Sequence, residues 1–304
     1  MKRMTWRAFL GVFLLSALPA LCVAREPVNI IIILTDDSGY TDPGCYGGEV
    51  ETPNIDQLAY NGMRFSNFYT NARCSPTRAT LLTGYDCAPV GFAAGTLGGW
   101  RRESKMPAYR ARISYDLPTI AELLNTAGYH TMMAGKWHLG GSLMKDDPAL
   151  QAQWERVHEG WVLDREEIEA DYNALPPQRG FDEFFGVIDG EDHHFFTPGD
   201  KHKYLDGNQK ASLSYDRTYS MHCYYKDEDR YPFTVNHGET GKAFYAPDGI
   251  TDWTLEKLRR ACGNGEPPFF LYMAFRSPHL PLQAPGELVG KYLPLYQDLE
   301  KVEA

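Results

Sequence analysis

The apolar run at residues 28–34, which reads VNIIIIL, constrains the fold more than any other part of this sequence. The run is too short for a typical helix, and it shows no alternation of apolar and polar residues. It is therefore typical of a parallel β-strand that is buried on both faces. A second run, at residues 269–275, has the same character and follows Pro267 and Pro268. It predicts a second buried strand.

Capping residues and apolar spacing predict the other elements. We expect helices at residues 53–61, 75–83, 117–125 and 251–261, and strands at residues 63–69 and 129–134. Thr52 and Pro53 mark the start of the first helix, and Gly84 marks the end of the second. Residues 92–112 are expected to form a long surface loop, and residues 142–246 to hold insertions. Because strands alternate with helices, we expect an α/β fold with a mostly parallel central sheet flanked by helices.

Composition and charge narrow the class of protein. The chain has 304 residues, of which 43% are hydrophobic, so it can bury a large core. The formal net charge of -10 argues against a nucleic-acid partner, because proteins that bind duplexes usually present a basic face. An acidic chain can still take an anionic substrate, since a few local cations and a metal ion dominate the field of a pocket.

The N-terminus has the pattern of a secretory signal peptide. Basic residues at positions 2, 3 and 7 precede an apolar run at residues 8–21, and Ala24 offers a small residue for cleavage. We expect residues 1–24 to be removed and the protein to be exported, either to the periplasm or as a secreted protein. An uncleaved membrane anchor is the alternative interpretation. No later apolar stretch has the length of a membrane span, so no stable membrane span is expected.

The cysteines that follow the predicted signal peptide are odd in number, so at least one should remain unpaired in an exported protein. They are Cys45, Cys74, Cys87, Cys223 and Cys262. Their spacing matches no common zinc-binding pattern. We expect Cys74 to have a role other than a structural one.

Reactive side chains follow three of the predicted strands. In chain order they are Asp36, Asp37, Lys136, His138 and His279. In an open parallel sheet, ligands bind at the carboxyl ends of the strands. We therefore expect these side chains to contribute to one shared site.

Asp36 and Asp37 are adjacent carboxylates, which repel each other unless a cation lies between them. Ser38 and Gly39 break the strand at this point and allow both side chains to converge. Oxygen ligands suit a hard ion such as calcium or magnesium. A solvated acidic turn without a metal is the alternative interpretation.

Cys74 opens the segment CSPTR and lies just before the predicted start of a helix. Free backbone N–H groups and the helix dipole favour an anion at such a position. Arg78 falls on the first turn of the helix and can reach the same anion with its forked donors. The pattern indicates a nucleophile within an anion-binding site. A capping segment with an incidental cysteine is the alternative.

The segment CSPTRATLLTG, at residues 74–84, resembles the signature of the type I sulfatases. Four further segments match motifs of that family in the expected order. They are LTDD at residues 34–37, GKWHLG at residues 135–140, GFD at residues 180–182 and SPHLP at residues 277–281. The five segments extend the resemblance over residues 28–285, so it does not depend on one short motif.

The resemblance implies an alkaline phosphatase-like fold and an enzyme that hydrolyses aryl or carbohydrate sulfate esters. It implies that a formylglycine-generating enzyme oxidises Cys74 to formylglycine, whose hydrated aldehyde is the nucleophile. It also implies that calcium, or alternatively magnesium, is bound by Asp36, Asp37 and residue 74.

The same resemblance implies roles for four other residues. Arg78 would hold residue 74 and the charge on the metal side in place. Lys136 and His138 would contact the sulfate and the nucleophile, and His279 would lie near the leaving oxygen. These roles agree with general chemistry, because a metal and nearby cations stabilise charge on a transferring group.

The sequence departs from the family pattern after His279. The family usually completes its metal site with a downstream Asp-Asn pair, and no such pair occurs between His279 and Ala304. We therefore expect residues 25–304 to form an incomplete N-terminal catalytic domain without the smaller C-terminal domain. Two alternatives stay open: a phosphate or phosphonate ester hydrolase of the same superfamily, and an inactive pseudoenzyme that binds sulfated glycans.

Overall fold

The computed structural model describes residues 27–93, 106–140, 173–188, 244–280, 282 and 284–296, with short strands at residues 195–196, 224–226 and 229–230. The predicted signal peptide, residues 94–105 of the predicted loop and Cys223 lie outside these ranges. Within the ranges, no helix is both long enough and apolar enough to cross a membrane.

Two β-sheets occur in the described ranges, one of six strands and one of two. The strands are β1 (Ile30–Asp36), β2 (His130–Lys136), β3 (Glu183–Val187), β4 (Phe195–Phe196), β5 (Tyr224–Lys226), β6 (Asp229–Arg230), β7 (Phe244–Tyr245) and β8 (Phe269–Pro278). The large sheet has the order β1-β8-β2-β3-β5-β6, and its first four strands are parallel. β5 and β6 continue it antiparallel, while β4 pairs with β7. The prediction of a mostly parallel sheet is confirmed.

The described ranges contain six α-helices, of which four overlap predicted helices and the longest begins five residues before its predicted start. They are α1 (Pro53–Asn61), α2 (Cys74–Thr83), α3 (Cys87–Val90), α4 (Ile120–Thr126), α5 (Ala246–Ala261) and α6 (Gly286–Tyr296). Gly84 ends α2 with a φ of 73°, a left-handed conformation that glycine adopts without strain. Thr119 begins α4 with a capping box, in which its side chain and that of Glu122 each accept from the other's backbone N–H.

Apolar side chains cover both faces of the large sheet. Successive residues of a strand point to opposite faces, so Phe270 and Tyr272 of β8 belong to one core cluster, and Leu271 and Met273 belong to the other. The first cluster includes side chains of α2 and α4, and the second includes side chains of α5. Helices therefore flank the sheet on both faces, as predicted.

Two predictions about strands are wrong. β1 is not buried on both faces, because Ile31 is 48% exposed and Ile33 is 58% exposed. It lies at the edge of the described sheet, where it pairs with β8, and its burial alternates along the strand. Residues 63–69 form no strand in the described structure, and Met63 and Tyr69 are 79% and 88% exposed. A strand needs a partner for its hydrogen bonds, and apolar composition alone does not supply one.

Close backbone contact brings the central strands together near their carboxyl ends. A Cβ atom on Gly135 would overlap the carbonyl oxygen of Ala274 in β8, and Gly135 has a φ of 107°. A Cβ atom on Gly186 of β3 would overlap the carbonyl oxygen of Gly135. The absence of side chains at these two positions therefore permits the close approach of β8, β2 and β3 just before Lys136.

Candidate active site

The predicted site residues meet at the carboxyl edge of the parallel strands. Asp36 is the last residue of β1, Lys136 is the last residue of β2, and His279 directly follows β8. Cys74 is the first residue of α2. The strands β1, β8 and β2 are neighbours in the sheet, so their ends bring together residues that are far apart in the chain.

A buried ion cluster lies at the centre of the site. Nζ of Lys136 lies 2.5 Å from Oδ2 of Asp36, and Nη2 of Arg78 lies 3.5 Å from Oδ1 of the same carboxylate. The exposed fractions of the Lys136, Arg78 and Asp36 side chains are 0%, 1% and 4%. Burial alone would raise the pKa of Asp36, but Arg78 and Lys136 outweigh it and hold that pKa below its ordinary value.

The same surroundings that favour the charged form of Asp36 disfavour the charged form of Lys136. Burial and the neighbouring Arg78 lower the pKa of Lys136 below its ordinary value, although Asp36 pulls it upward. With Lys136 protonated, the cluster has two cations and one carboxylate. The site therefore has a surplus positive charge in a region shielded from water, which favours an anionic ligand.

Arg78 is held by several hydrogen bonds besides its contact with Asp36. Its Nη1 donates to the carbonyl oxygen of Lys136 at 2.7 Å and to the hydroxyl of Tyr272 at 3.4 Å. Its Nη2 donates to the carbonyl oxygen of Phe275 at 3.3 Å. Burial raises the pKa of Tyr272, so its hydroxyl stays neutral. Tyr272 was missed by the sequence reasoning, because a tyrosine within an apolar strand is typical of a core residue.

Cys74 contacts His138 at the start of α2. Its Sγ lies 3.3 Å from Nδ1 of His138, and only 9% of His138 is exposed. His138 has a φ of 60°, and Asp37 has a φ of 63°. Residues other than glycine rarely adopt this left-handed conformation, and such strain is often concentrated at functional sites.

Asp37 and His279 form the more open side of the site. Nε2 of His279 lies 3.7 Å from Oδ2 of Asp37, whose side chain is 56% exposed. Nδ1 of His279 lies 2.7 Å from the carbonyl oxygen of Leu280. The structure thus brings together every residue that sequence reasoning assigned to the site: Asp36, Asp37, Cys74, Arg78, Lys136, His138 and His279.

The donor atoms fit a hard divalent cation in kind. Asp36 and Asp37 offer carboxylate oxygens, which calcium and magnesium prefer. Across the described ranges, however, no group of three or more His, Cys, Asp and Glu side chains is arranged to hold a metal ion. Two carboxylates fall short of the six or more oxygen ligands that calcium takes.

The fold and this cluster define an α/β protein with a cysteine, buried cations and paired carboxylates at the carboxyl edge of a parallel sheet. The sulfatase family model matches residues 28–302. Because the match covers most of the chain, the protein belongs to the sulfatase family.

Individual relatives agree with this assignment. An uncharacterized sulfatase of Schizosaccharomyces pombe is 31% identical over 282 residues, which is 90% of this chain and 42% of the relative. An arylsulfatase of Klebsiella aerogenes is 29% identical over 276 residues, which is 90% of this chain and 47% of the relative. The present chain therefore spans less than half the length of these two relatives.

A solved structure supports the fold. The crystal structure of Ps i-CgsB in complex with k-i-k-neocarrahexaose aligns with a TM-score of 0.58 and 28% identity. The alignment covers 86% of this chain and 48% of that one. The similarity confirms the predicted fold class, an alkaline phosphatase-like α/β sheet.

Proposed function

We propose that this chain forms the N-terminal, catalytic part of an enzyme that hydrolyses sulfate esters. The observation that carries the proposal is the contact of Cys74 with His138 beside the buried Asp36, Arg78 and Lys136. Membership of the sulfatase family supports it independently of the geometry.

Arg78 and Lys136 prepare the site for a sulfate group. Both cations are buried, and one carboxylate balances them only in part. Because Arg78 is tied to backbone carbonyls of β2 and β8, its position does not have to change when the ligand binds. Fixed charges of this kind stabilise negative charge that builds up on a transferring group. Lys136 would contact the sulfate directly.

The nucleophile is proposed to derive from Cys74. Oxidation to formylglycine by a formylglycine-generating enzyme would supply a hydrated aldehyde at the start of α2, and the start of a helix favours an anion. His138 lies within hydrogen-bonding distance of the side chain at this position. We propose that His138 orients the nucleophile and moves its proton.

Asp36 and Asp37, with residue 74, are proposed to hold a divalent cation, calcium or alternatively magnesium. Such an ion would polarise the sulfate ester as a Lewis acid. Asp36 is already deprotonated by its cationic neighbours, which hold its pKa below the ordinary value, and this is the form that a metal needs. His279, beside Asp37, is proposed to lie near the leaving oxygen.

The substrate is proposed to be a sulfated sugar or an aryl sulfate. The Klebsiella relative is an arylsulfatase, and the crystal structure of Ps i-CgsB contains a neocarrahexaose. We further propose that residues 1–24 direct export and that residues 25–304 belong to the catalytic domain.

The test combines mass spectrometry with an ester assay on the chain made in its native host. The peptide that contains residue 74 should lose sulfur and gain an aldehyde. The chain should cleave nitrophenyl sulfate faster than nitrophenyl phosphate, and Cys74→Ala should abolish the cleavage. Cys262→Ala, at an exposed cysteine, is the matched control and should leave it unchanged. An intact thiol at position 74 refutes the sulfatase mechanism, and faster phosphate cleavage refutes the substrate class.

A further inference from the structure

We propose that Arg276 is a positioning residue that sets the orientation and tautomer of His279. The inference rests on the proposed function, in which His279 lies near the leaving oxygen. Nothing in the sequence motifs assigns a role to Arg276. Its role follows from a short chain of hydrogen bonds that directly follows β8.

Two donors meet at one carbonyl oxygen. Nη2 of Arg276 donates to the carbonyl oxygen of Leu280 at 2.8 Å, and Nδ1 of His279 lies 2.7 Å from the same atom. A carbonyl oxygen has two lone pairs and cannot donate, so it accepts from both groups. Nδ1 of His279 must therefore bear a hydrogen.

The opposite ring nitrogen faces the site. Nε2 of His279 lies 3.7 Å from Oδ2 of Asp37, on the side of the carboxylate pair. When Nδ1 bears the hydrogen in the neutral ring, Nε2 is left as the nitrogen that can accept a proton or a hydrogen bond. The Leu280 carbonyl thus decides which nitrogen of His279 is available for chemistry.

Arg276 is the group that can keep this carbonyl in place. The side chain of Leu280 is 64% exposed, so packing contributes little to its position. Arg276 is only 5% exposed, and its own carbonyl oxygen accepts the backbone N–H of His279 at 3.0 Å. One buried residue therefore binds the segment on both sides of the imidazole. Contacts beyond the immediate site often orient a functional histidine in this way.

The direct test reads the tautomer of His279 without using activity. Long-range ¹H–¹⁵N spectra of the ¹⁵N-histidine-labelled chain, recorded at about pH 8.5, above the range in which histidines usually titrate, should show hydrogen on Nδ1. The signal is assigned by its loss in His279→Gln. Arg276→Met should produce a mixture of both tautomers. Arg260→Met is the matched control at an arginine whose side chain is 70% exposed, and it should retain the wild-type pattern.

Two results would overturn the inference. One is hydrogen on Nε2 in the wild-type chain, a measurement that does not depend on the folding of any variant. The other is an unchanged tautomer in folded Arg276→Met. Arg276→Lys keeps a buried cation, and it should retain the Nδ1 hydrogen.

A kinetic readout complements the spectra. Arg276→Met should lower kcat by about 10–100-fold, the range typical for outer contacts of functional histidines, with little change in KM. Arg276→Lys should recover part of the loss, whereas an equal loss in both folded variants would contradict positioning by charge. If the wild-type chain cleaves no sulfate ester, the proposed function fails, and the spectra still decide whether Arg276 controls the tautomer.

Discussion

Replacing Asp36 by asparagine should strongly destabilise the folded chain. The substitution preserves the size of the side chain but removes its negative charge. Lys136 and Arg78, which are 0% and 1% exposed, would then lie close together as buried cations without the carboxylate that both contact. Removing one partner of a buried ion pair typically costs about 3–5 kcal/mol, because the remaining charge stays desolvated and uncompensated.

The expected destabilisation is large relative to the free energy of unfolding of a typical domain. Domains usually unfold with a free energy of about 5–15 kcal/mol, so this loss would remove a substantial part of it. Two features keep the expected cost within that range. Arg78 retains its bonds to the carbonyl oxygens of Lys136 and Phe275, and the asparagine amide oxygen can still accept from Lys136.

Urea unfolding followed by circular dichroism measures this effect. The buffer should contain a chelator, so that loss of a metal ligand does not contribute to the result. The midpoint should shift to lower urea while the slope m stays constant, since the surface exposed on unfolding is unchanged. Asp37→Asn is the matched control, because the neighbouring side chain is 56% exposed, and it should change stability by no more than about 0.5 kcal/mol.

The reasoning is refuted if Asp36→Asn unfolds within about 0.5 kcal/mol of the wild type, the range of ordinary surface substitutions. It is also refuted if Asp36→Asn and Asp37→Asn cost the same, since the argument depends on burial. Either outcome would mean that Lys136 and Arg78 do not need the carboxylate in the folded state.

Three further predictions concern pH and backbone geometry. The folded-state pKa of Asp36 lies below its ordinary value of 3.8, so the stability that its carboxylate contributes is complete above pH 3.8 and is lost as pH falls through the folded-state pKa. The difference in urea midpoint between the wild type and Asp36→Asn should therefore shrink in that acidic range, and a constant difference would exclude this linkage. Gly135→Ala should lower the free energy of unfolding, measured by thermal unfolding, by at least about 2 kcal/mol, because its Cβ would overlap the Ala274 carbonyl. Gly128→Ala is the control, with φ of 87° but open space around its Cβ, and should cost less; equal costs would contradict a steric cause. Thr119→Ala should cost at least about 1 kcal/mol, because the Thr119 hydroxyl accepts from the Glu122 N–H and donates to the buried Arg179 carbonyl. An unchanged melting temperature would show that neither bond contributes.

Local signals were sufficient to place most of the site. The acidic pair at Asp36 and Asp37 lies at the end of a strongly apolar run, and Cys74 lies at the start of a helix that ends at Gly84. The carboxyl ends of parallel strands lie on one edge of a sheet, so the meeting of these residues with Lys136 and His279 was predictable from element order. The roles of these residues remain proposals.

Contacts between distant segments could not be predicted in the same way. Tyr272 reaches Arg78 across 194 positions in the chain, and its sequence context indicates only a core aromatic residue. Arg276 is one of many arginines in the sequence, and no local pattern shows that it bonds the Leu280 carbonyl. Such contacts depend on which strands are neighbours and on how far each one extends.

The sequence by itself determined the α/β class, three of the four parallel strands, the carboxyl ends of most predicted helices and the side chains that gather at the sheet edge. These features depend on periodicity, capping and covalent order, all of which are local. Tertiary structure decided the rest: the exposure of Ile31 and Ile33 on β1, the lack of a strand at residues 63–69, and the burial of Asp36 between two cations. Burial and strand pairing depend on neighbours that are brought close only by folding, and a pattern along one segment does not contain them.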